Sequence, residues 1–277
     1  MTMFGIRFRK EFGQNFLTDP MVVEDIADSC CPEKSDFQTI LEIGPGIGTL
    51  TRQLASRYNS VIAVEIDTGL IPVLRYTLED YRDNTLVIND DVMKADLGEI
   101  LKPAFEKGGV SVCANLPYYI TTPILMKLLE SELPFDYITV MVQKEVADRL
   151  VAAPGSRDCG AITAVLHYYG DAETLFTVSP DQFVPAPKVS SSVIRIKLHK
   201  EKPVVPDNVD LFFRVIRAAF EQRRKTLANA LATGFPEIGK SKITDIITSC
   251  SLSPEIRGER LTLNDFKALS DAINTLR

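Results

Sequence analysis

Short apolar runs recur along the first part of the chain, and after most of them the spacing of apolar residues lengthens to that of a helix. Thr39-Ile40-Leu41-Glu42-Ile43, Val61-Ile62-Ala63-Val64, Leu86-Val87-Ile88, Val110-Ser111-Val112-Cys113-Ala114 and Tyr137-Ile138-Thr139-Val140-Met141-Val142 read as buried strands. Leu50, Leu54 and Ala55 follow the first run at helical spacing, and Val146, Ala147 and Leu150 follow the fifth. Ahead of them all, Asp19 caps a helix that has Pro20 at its first position and Val22, Val23, Ile26 and Ala27 on one face. Thr121-Thr122-Pro123 starts another, with the proline at the first helical position. Strands alternating with helices predict an α/β domain on a parallel sheet. Two later runs, around Leu166-His167-Tyr168-Tyr169 and over Val193–Leu198, have no helical pattern between them and predict an antiparallel pair at one sheet edge.

Residues 199–207 carry Pro203 and Pro206 among charges and read as a linker. Beyond it the period is helical throughout. Phe212, Phe213, Val215, Ile216, Ala219 and Phe220 line one helix, Gly234 marks a stop, and Lys240–Ser249 makes another. Thr262 and Asp265 form a capping box ahead of Phe266, Leu269, Ile273 and Leu276. The expected organisation is therefore a main domain over residues 1–200 and a small α-helical domain over 207–277.

The residues that follow the strands change this picture from a fold to a site. In open α/β sheets ligands bind outside the carboxyl ends of the strands. The first strand runs into Gly44-Pro45-Gly46-Ile47-Gly48, where glycines let a ligand approach the backbone. The second ends in Glu65, an acid able to accept from both hydroxyls of a ribose. The third is followed by Asp90 and Asp91, one of which can cap the turn while the other meets a ligand amine. The fourth ends in Asn115-Leu116-Pro117-Tyr118. There an amide oxygen and a backbone carbonyl beside a proline can together accept both hydrogens of one exocyclic amine, with Tyr118 stacked on the base. Asn115 could instead cap a turn and Tyr118 fill core. Pro185 and Pro187 hold the later segment Phe183–Ser191 extended, which sets Phe183 either opposite Tyr118 as the second half of an aromatic clamp or in the core.

Composition narrows the classes further. The chain has 277 residues, 45% hydrophobic and 25% charged, which is that of an ordinary globular protein. No apolar run approaches membrane-spanning length, and the basic start (Arg7, Arg9, Lys10) lacks an apolar stretch, so a cytoplasmic protein without a membrane partner is expected. Five cysteines without C-x-x-C spacing and only two histidines predict neither a disulfide framework nor a metal site. The net charge of −6 argues against a nucleic-acid partner, but Arg223, Arg224 and Lys225 form a basic cluster of opposite sign to the whole. The segment Phe8–Leu17 interleaves aromatics and bases around Gly13 and suits a loop that touches a polyanion or ligand.

Taken together, Phe12-Gly13-Gln14-Asn15-Phe16-Leu17, Glu42-Ile43-Gly44-Pro45-Gly46-Ile47-Gly48, Asn115-Leu116-Pro117-Tyr118, Phe183–Val189, Arg223-Arg224-Lys225-Thr226-Leu227 and Arg257-Gly258-Glu259-Arg260-Leu261 resemble the ribosomal RNA adenine N6,N6-dimethyltransferases, and most closely the branch acting on small-subunit rRNA. The resemblance implies a Rossmann-like methyltransferase domain that uses S-adenosylmethionine, with a C-terminal α-helical rRNA-binding domain. It implies that Asn15, Leu17, Gly44, Gly46, Glu65, Asp91 and Asn115 hold the methyl donor, Asp91 being preferred to Asp90 by alignment with the family's acid. Asn115, Leu116, Pro117, Tyr118 and Phe183 would hold the adenine, and Arg223, Arg224 and Lys225 the RNA. The implied substrate is a pair of adjacent adenines near the 3′ end of small-subunit rRNA in immature 30S particles, methylated by a monomer. Glu11 departs from the family, which has a basic residue before Phe-Gly-Gln-Asn.

Overall fold

The computed structural model describes residues 15–33, 36–156 and 158–276. The basic arm, with Glu11 and Phe12-Gly13-Gln14, lies outside the described residues. In chain order the elements of the first part are β1 (Phe16–Leu17), α1 (Pro20–Ser29), β2 (Gln38–Ile43), α2 (Thr49–Ala55), β3 (Ser60–Glu65), α3 (Ile71–Thr77), β4 (Thr85–Asn89), α4 (Leu97–Phe105), β5 (Gly109–Asn115), α5 (Thr121–Glu130), β6 (Tyr137–Gln143), α6 (Lys144–Leu150), α7 (Ala161–Tyr169), β7 (Gly170–Val178), β8 (Phe183–Val184) and β9 (Ser191–Leu198).

Seven strands form one sheet in the order β4-β3-β2-β5-β6-β9-β7. The first five pair in parallel, and β9 joins β6 antiparallel. β2 is buried along its whole length because strands flank it on both sides and helices cover the sheet, whereas the edge strand β4 stays partly exposed. From β2 the chain winds outward to β3 and β4, then returns to β5 on the other side of β2 and winds on to β6. Strand order reverses between β2 and β5, and such a switch point opens a crevice at the strand ends. A separate ladder pairs β1 with β8, setting Leu17 opposite Phe183 and Phe16 opposite Val184.

The α1 cap forms as expected, with the Asp19 carboxylate accepting from the Met21 N–H at 2.9 Å. Two expectations fail. Leu166–Tyr169 is the last turn of α7, not a strand, and the strand at that edge begins at Gly170. The helix wins because Gly160 and Thr163 close its first turn and because Tyr168, on its buried face, packs on Phe212 and Phe213 at 5.3 Å. In α5 the first residue is Thr121 and Pro123 lies two residues further on.

The chain divides into two compact units, one of residues up to Ala147 with Glu173–Leu198, the other of Asp148–Ala172 with His199–Arg277. The segment 148–172, expected within residues 1–200, thus groups with the C-terminal helices. Those are α8 (Val209–Glu221), α9 (Leu227–Gly234), α10 (Lys240–Ser249) and α11 (Leu263–Asn274). The Thr262–Asp265 capping box at the start of α11 is present.

Candidate active site

The ends of β2, β3 and β5, together with the β1–β8 ladder, enclose one cavity in the first unit. Its walls include Gly44, Gly46, Glu65 and Asn115 from the strand ends, Leu116, Pro117 and Tyr118 from the turn after β5, and Asn15, Leu17 and Phe183 from the ladder. Every expected cofactor and adenine residue except Asp91 therefore meets there.

The glycine turn is shaped for a ligand. Gly44, Gly46 and Gly48 all have positive φ, at 71°, 61° and 86°. A Cβ on Gly44 would meet nothing within 4 Å, so that face of the backbone is open, while one on Gly46 would come within 2.9 Å of the Phe16 ring. Glu65 anchors the turn. It is 4% exposed, and its carboxylate accepts from the Gly46 N–H at 3.1 Å and the Asp67 N–H at 2.8 Å. Burial raises its pKa despite those two backbone donors.

Asn115 is oriented by a residue a hundred positions away. Its Nδ2 donates to the Asn15 carbonyl at 3.2 Å, which commits the amide nitrogen and leaves Oδ1 as an acceptor. In the following turn the Pro117 carbonyl accepts from the Ile120 N–H at 3.1 Å and the Thr121 hydroxyl at 3.2 Å. No described residue donates to the Leu116 carbonyl. An amide oxygen and a backbone carbonyl are thus both available beside the cavity. The Tyr118 hydroxyl shares a hydrogen bond of 2.8 Å with the Ser191 hydroxyl, which fixes the ring. Phe183 is 3% exposed and belongs both to the cavity wall and to the core.

Asp91 is placed otherwise. Its carboxylate accepts from the Met93 N–H at 2.9 Å and lies 3.5 Å from the Lys94 ammonium, and it is not part of the cavity wall. Asp90 caps the same turn, accepting from the Asp91 N–H at 2.7 Å.

Among the wall residues to which the sequence reading assigned no site role are Phe16, Ile66 and Glu42. Phe16 sits under Gly46, and Ile66 is an apolar side chain left 49% exposed directly after Glu65. Glu42 is the third: it is 1% exposed, and its Oε2 has no hydrogen-bond partner among the described residues. Burial pushes its carboxyl up to about 8, against a pull back from the Thr51 hydroxyl, and Glu65 adds to the push. An acid near the end of a buried strand, two residues ahead of the glycine turn, was the available signal.

In the second unit, Arg223, Arg224 and Lys225 are exposed on the turn between α8 and α9. The Arg223 guanidinium donates to the Cys159 carbonyl at 3.3 Å, and with Arg149, Arg217 and Phe220 it lines a cleft. Arg214 is committed elsewhere: it pairs with Glu237 at 2.9 Å, donates to the Gly234 carbonyl at 2.7 Å and lies 4.2 Å from the Phe235 ring centre. Among the described residues no cluster of His, Cys, Asp or Glu could hold a metal, and no helix is long and apolar enough to cross a membrane.

A glycine turn, a strand-end acid and a strand-end amide around the switch point of a mostly parallel sheet define a nucleoside-binding α/β protein. The sheet and helices superpose on a dimethyladenosine transferase from Plasmodium falciparum with a TM-score of 0.75 at 25% identity, covering 92% of this chain and 95% of that one. They superpose on the 23S rRNA methyltransferase ErmE with a TM-score of 0.70 at 22% identity, over 94% and 99% of the two chains, a likeness of fold alone. The model of the ribosomal RNA adenine dimethylases matches residues 5–257, and the chain belongs to that family. It is 50% identical over 273 residues to the ribosomal RNA small subunit methyltransferase A of Lachnoclostridium phytofermentans, covering 96% of this chain and 92% of that protein. The protein of the same name from Bacillus thuringiensis is 48% identical over 275 residues, covering 98% and 92%. The chain is accordingly an rRNA adenine dimethyltransferase that uses S-adenosylmethionine. The open face at Gly44, the Glu65 carboxylate and the exposed Ile66 suit the backbone, ribose and base of such a donor.

Proposed function

We propose that this enzyme methylates N6 of two adjacent adenines near the 3′ end of small-subunit rRNA, twice each, within immature 30S particles, acting as a cytoplasmic monomer. The small-subunit assignment is supported by relatives at 43–50% identity over nearly the whole chain, all named ribosomal RNA small subunit methyltransferase A. The observation that carries the chemistry is the commitment of the Asn115 amide nitrogen to Asn15, beside a Leu116 carbonyl that no described residue uses.

Adenine N6 is a poor nucleophile while its lone pair is delocalised into the ring. The Asn115 Oδ1 and the Leu116 carbonyl accept its two hydrogens and favour a pyramidal nitrogen, while Tyr118 and Phe183 hold the flat base between them. When bound, the cofactor supplies an electrophilic methyl carbon on a sulfonium. Gly44, Gly46, Glu65, Asn15 and Leu17 hold the donor. Asp91, from the turn after β4, also holds the donor, as its position in the family's motif implies. No strong base is required, because the nitrogen becomes acidic once methylated and loses its proton to water; the described cavity wall contains no histidine. Arg223, Arg224 and Lys225 contact rRNA phosphates from the helical unit.

The test is incubation with labelled donor and undermethylated 30S subunits, followed by mapping of the product. Dimethyladenosine at two adjacent positions near the 3′ end of the small-subunit rRNA is expected. A product on large-subunit rRNA, or on guanine, would overturn the reading.

A further inference from the structure

The described wall of the donor cavity contains one carboxyl side chain that the proposed chemistry leaves unused. Glu42, near the end of β2, reaches the cavity wall from inside the sheet, and its Oε2 has no partner among the described residues. A buried carboxylate in that position is costly unless something pairs with it. Among the described residues, the groups around it do not. On β3 its register partner is Ala63, with Glu65 two residues on; on β5 it is Cys113, a buried thiol whose own pKa is raised; from α2 comes the Thr51 hydroxyl, which carries no charge. Among the described residues, the titratable groups acting on Glu42 are therefore another acid and a thiol, and neither is a cation.

We propose that Glu42 is a charge sensor for the methyl donor: it is protonated until the cationic cofactor enters, gives up its proton on binding, and takes one back once the sulfonium has been spent. The chemistry of the ligand supplies the difference. In S-adenosylmethionine the ammonium and carboxylate cancel and the sulfonium leaves a net positive charge. On transfer the carbon–sulfur bond breaks and its electron pair stays on sulfur, the N6 lone pair forms the new carbon–nitrogen bond, and the N6 proton leaves to water. The spent cofactor is a neutral thioether. A cation inside a desolvated cavity favours the ionised form of a neighbouring carboxyl, and its loss favours the neutral one. Burial that holds Glu42 near 8 puts this exchange within the working pH range. Dimethylation of one nitrogen consumes two donors, so a site that binds the charged form through an anion and discards that anion afterwards exchanges spent cofactor for fresh.

The inference rests on the identity of the donor and not on the RNA reading, since its test contains no RNA. Titration calorimetry of S-adenosylmethionine and S-adenosylhomocysteine, each in two buffers of different ionisation enthalpy at pH 7, counts the protons released. The wild-type protein is expected to release more protons with the methionine form than Glu42→Gln does, whereas the homocysteine form shows no such difference. Both ligands carry the same amine and meet the same Glu65, so those contributions cancel in the comparison. In the wild type alone, affinity for the charged donor should rise by up to about tenfold per pH unit between pH 6 and 8, and affinity for the spent one should rise less. Equal proton counts in wild type and Glu42→Gln, or identical pH slopes for the two ligands in wild type, would overturn the proposal.

Discussion

Asn115 works through both ends of its amide, which separates it from its nearest isostere. Asn115→Ala removes the acceptor, and a loss of about 10²–10³ in single-turnover methylation of 30S particles is expected, the scale on which a positioned polar group stabilises a transition state. Asn115→Asp keeps an acceptor but loses the donor to the Asn15 carbonyl at 3.2 Å and sets a carboxylate against that oxygen. It should be nearly as inactive, and recovery above a tenth of wild-type activity would show that the hydrogen bond to Asn15 does not matter. Glu42 gives a second prediction, on stability. With a folded pKa of about 8 against 4.5 for the ordinary carboxyl, the folded protein holds a proton that the unfolded chain has lost throughout that window. Stability without cofactor should therefore fall as pH rises from 4.5 to 8, by up to about 1.4 kcal/mol per pH unit, and the fall should flatten above it. Glu42→Gln should lack this slope in urea denaturation and be the more stable protein at pH 8; parallel curves would sink the assignment.

At the scale of elements, what could be read from the chain was what lies close together in it. A strand ending in glycines, an acid or an amide announces its own position, so Gly44, Gly46, Glu65 and Asn115 were legible one strand at a time, and parallel pairing brings their ends to one edge. The ladder that sets Leu17 opposite Phe183 joins segments from opposite ends of the unit, and neither two-residue strand has a period to detect. Phe16 was quoted within its motif, but its place beneath Gly46 was hidden for the same reason. Leu166–Tyr169 was misread because so short a run, one leucine and two tyrosines around a histidine, fits a strand and a helix equally; the decision lies in the Gly160–Thr163 cap and in rings packed from α8. Asp91 matched a family position, but its carboxylate is engaged within its own turn. The glycine turn yields a test of how tightly these elements interlock. Gly46→Ala adds a Cβ at a φ of 61° and 2.9 Å from the Phe16 ring. The strained φ alone should cost about 1–2 kcal/mol, and cofactor affinity should fall further as Phe16 is displaced. An unchanged melting temperature and affinity would mean that the turn can relax without cost. Gly258, within the Arg257–Leu261 motif, is tighter still: a Cβ there would lie 2.6 Å from the Ala219 carbonyl oxygen of α8. That motif therefore fixes the chain against α8, and Gly258→Ala should destabilise the helical unit.

For the molecule as a whole the question is how a chain of net charge −6 binds a polyanion. Long-range attraction is unfavourable at that charge, so affinity has to come from local positive potential that releases counterions on binding. Not every basic residue between Arg214 and Lys225 is available for this. Arg214 is held by Glu237, the Gly234 carbonyl and Phe235. Arg223, Arg224 and Lys225 stand exposed on a turn, where side chains can follow a backbone more readily than on a helix face, and Arg223 also borders the cleft with Arg149 and Arg217. Reversing the charge of Arg223, Arg224 and Lys225 together should weaken binding to undermethylated 30S particles and reduce the slope of log K against log salt by about 0.7–0.9 for each phosphate no longer neutralised. Affinity for the free cofactor should be unchanged, which separates impaired RNA binding from impaired folding. Arg214→Glu makes the opposite demand: it removes a half-exposed ion pair together with the contacts to the Gly234 carbonyl and the Phe235 ring, and should lower the melting temperature while leaving the salt slope alone. A slope that ignores the triple reversal, or that follows Arg214 instead, would move the RNA-binding surface away from the α8–α9 turn.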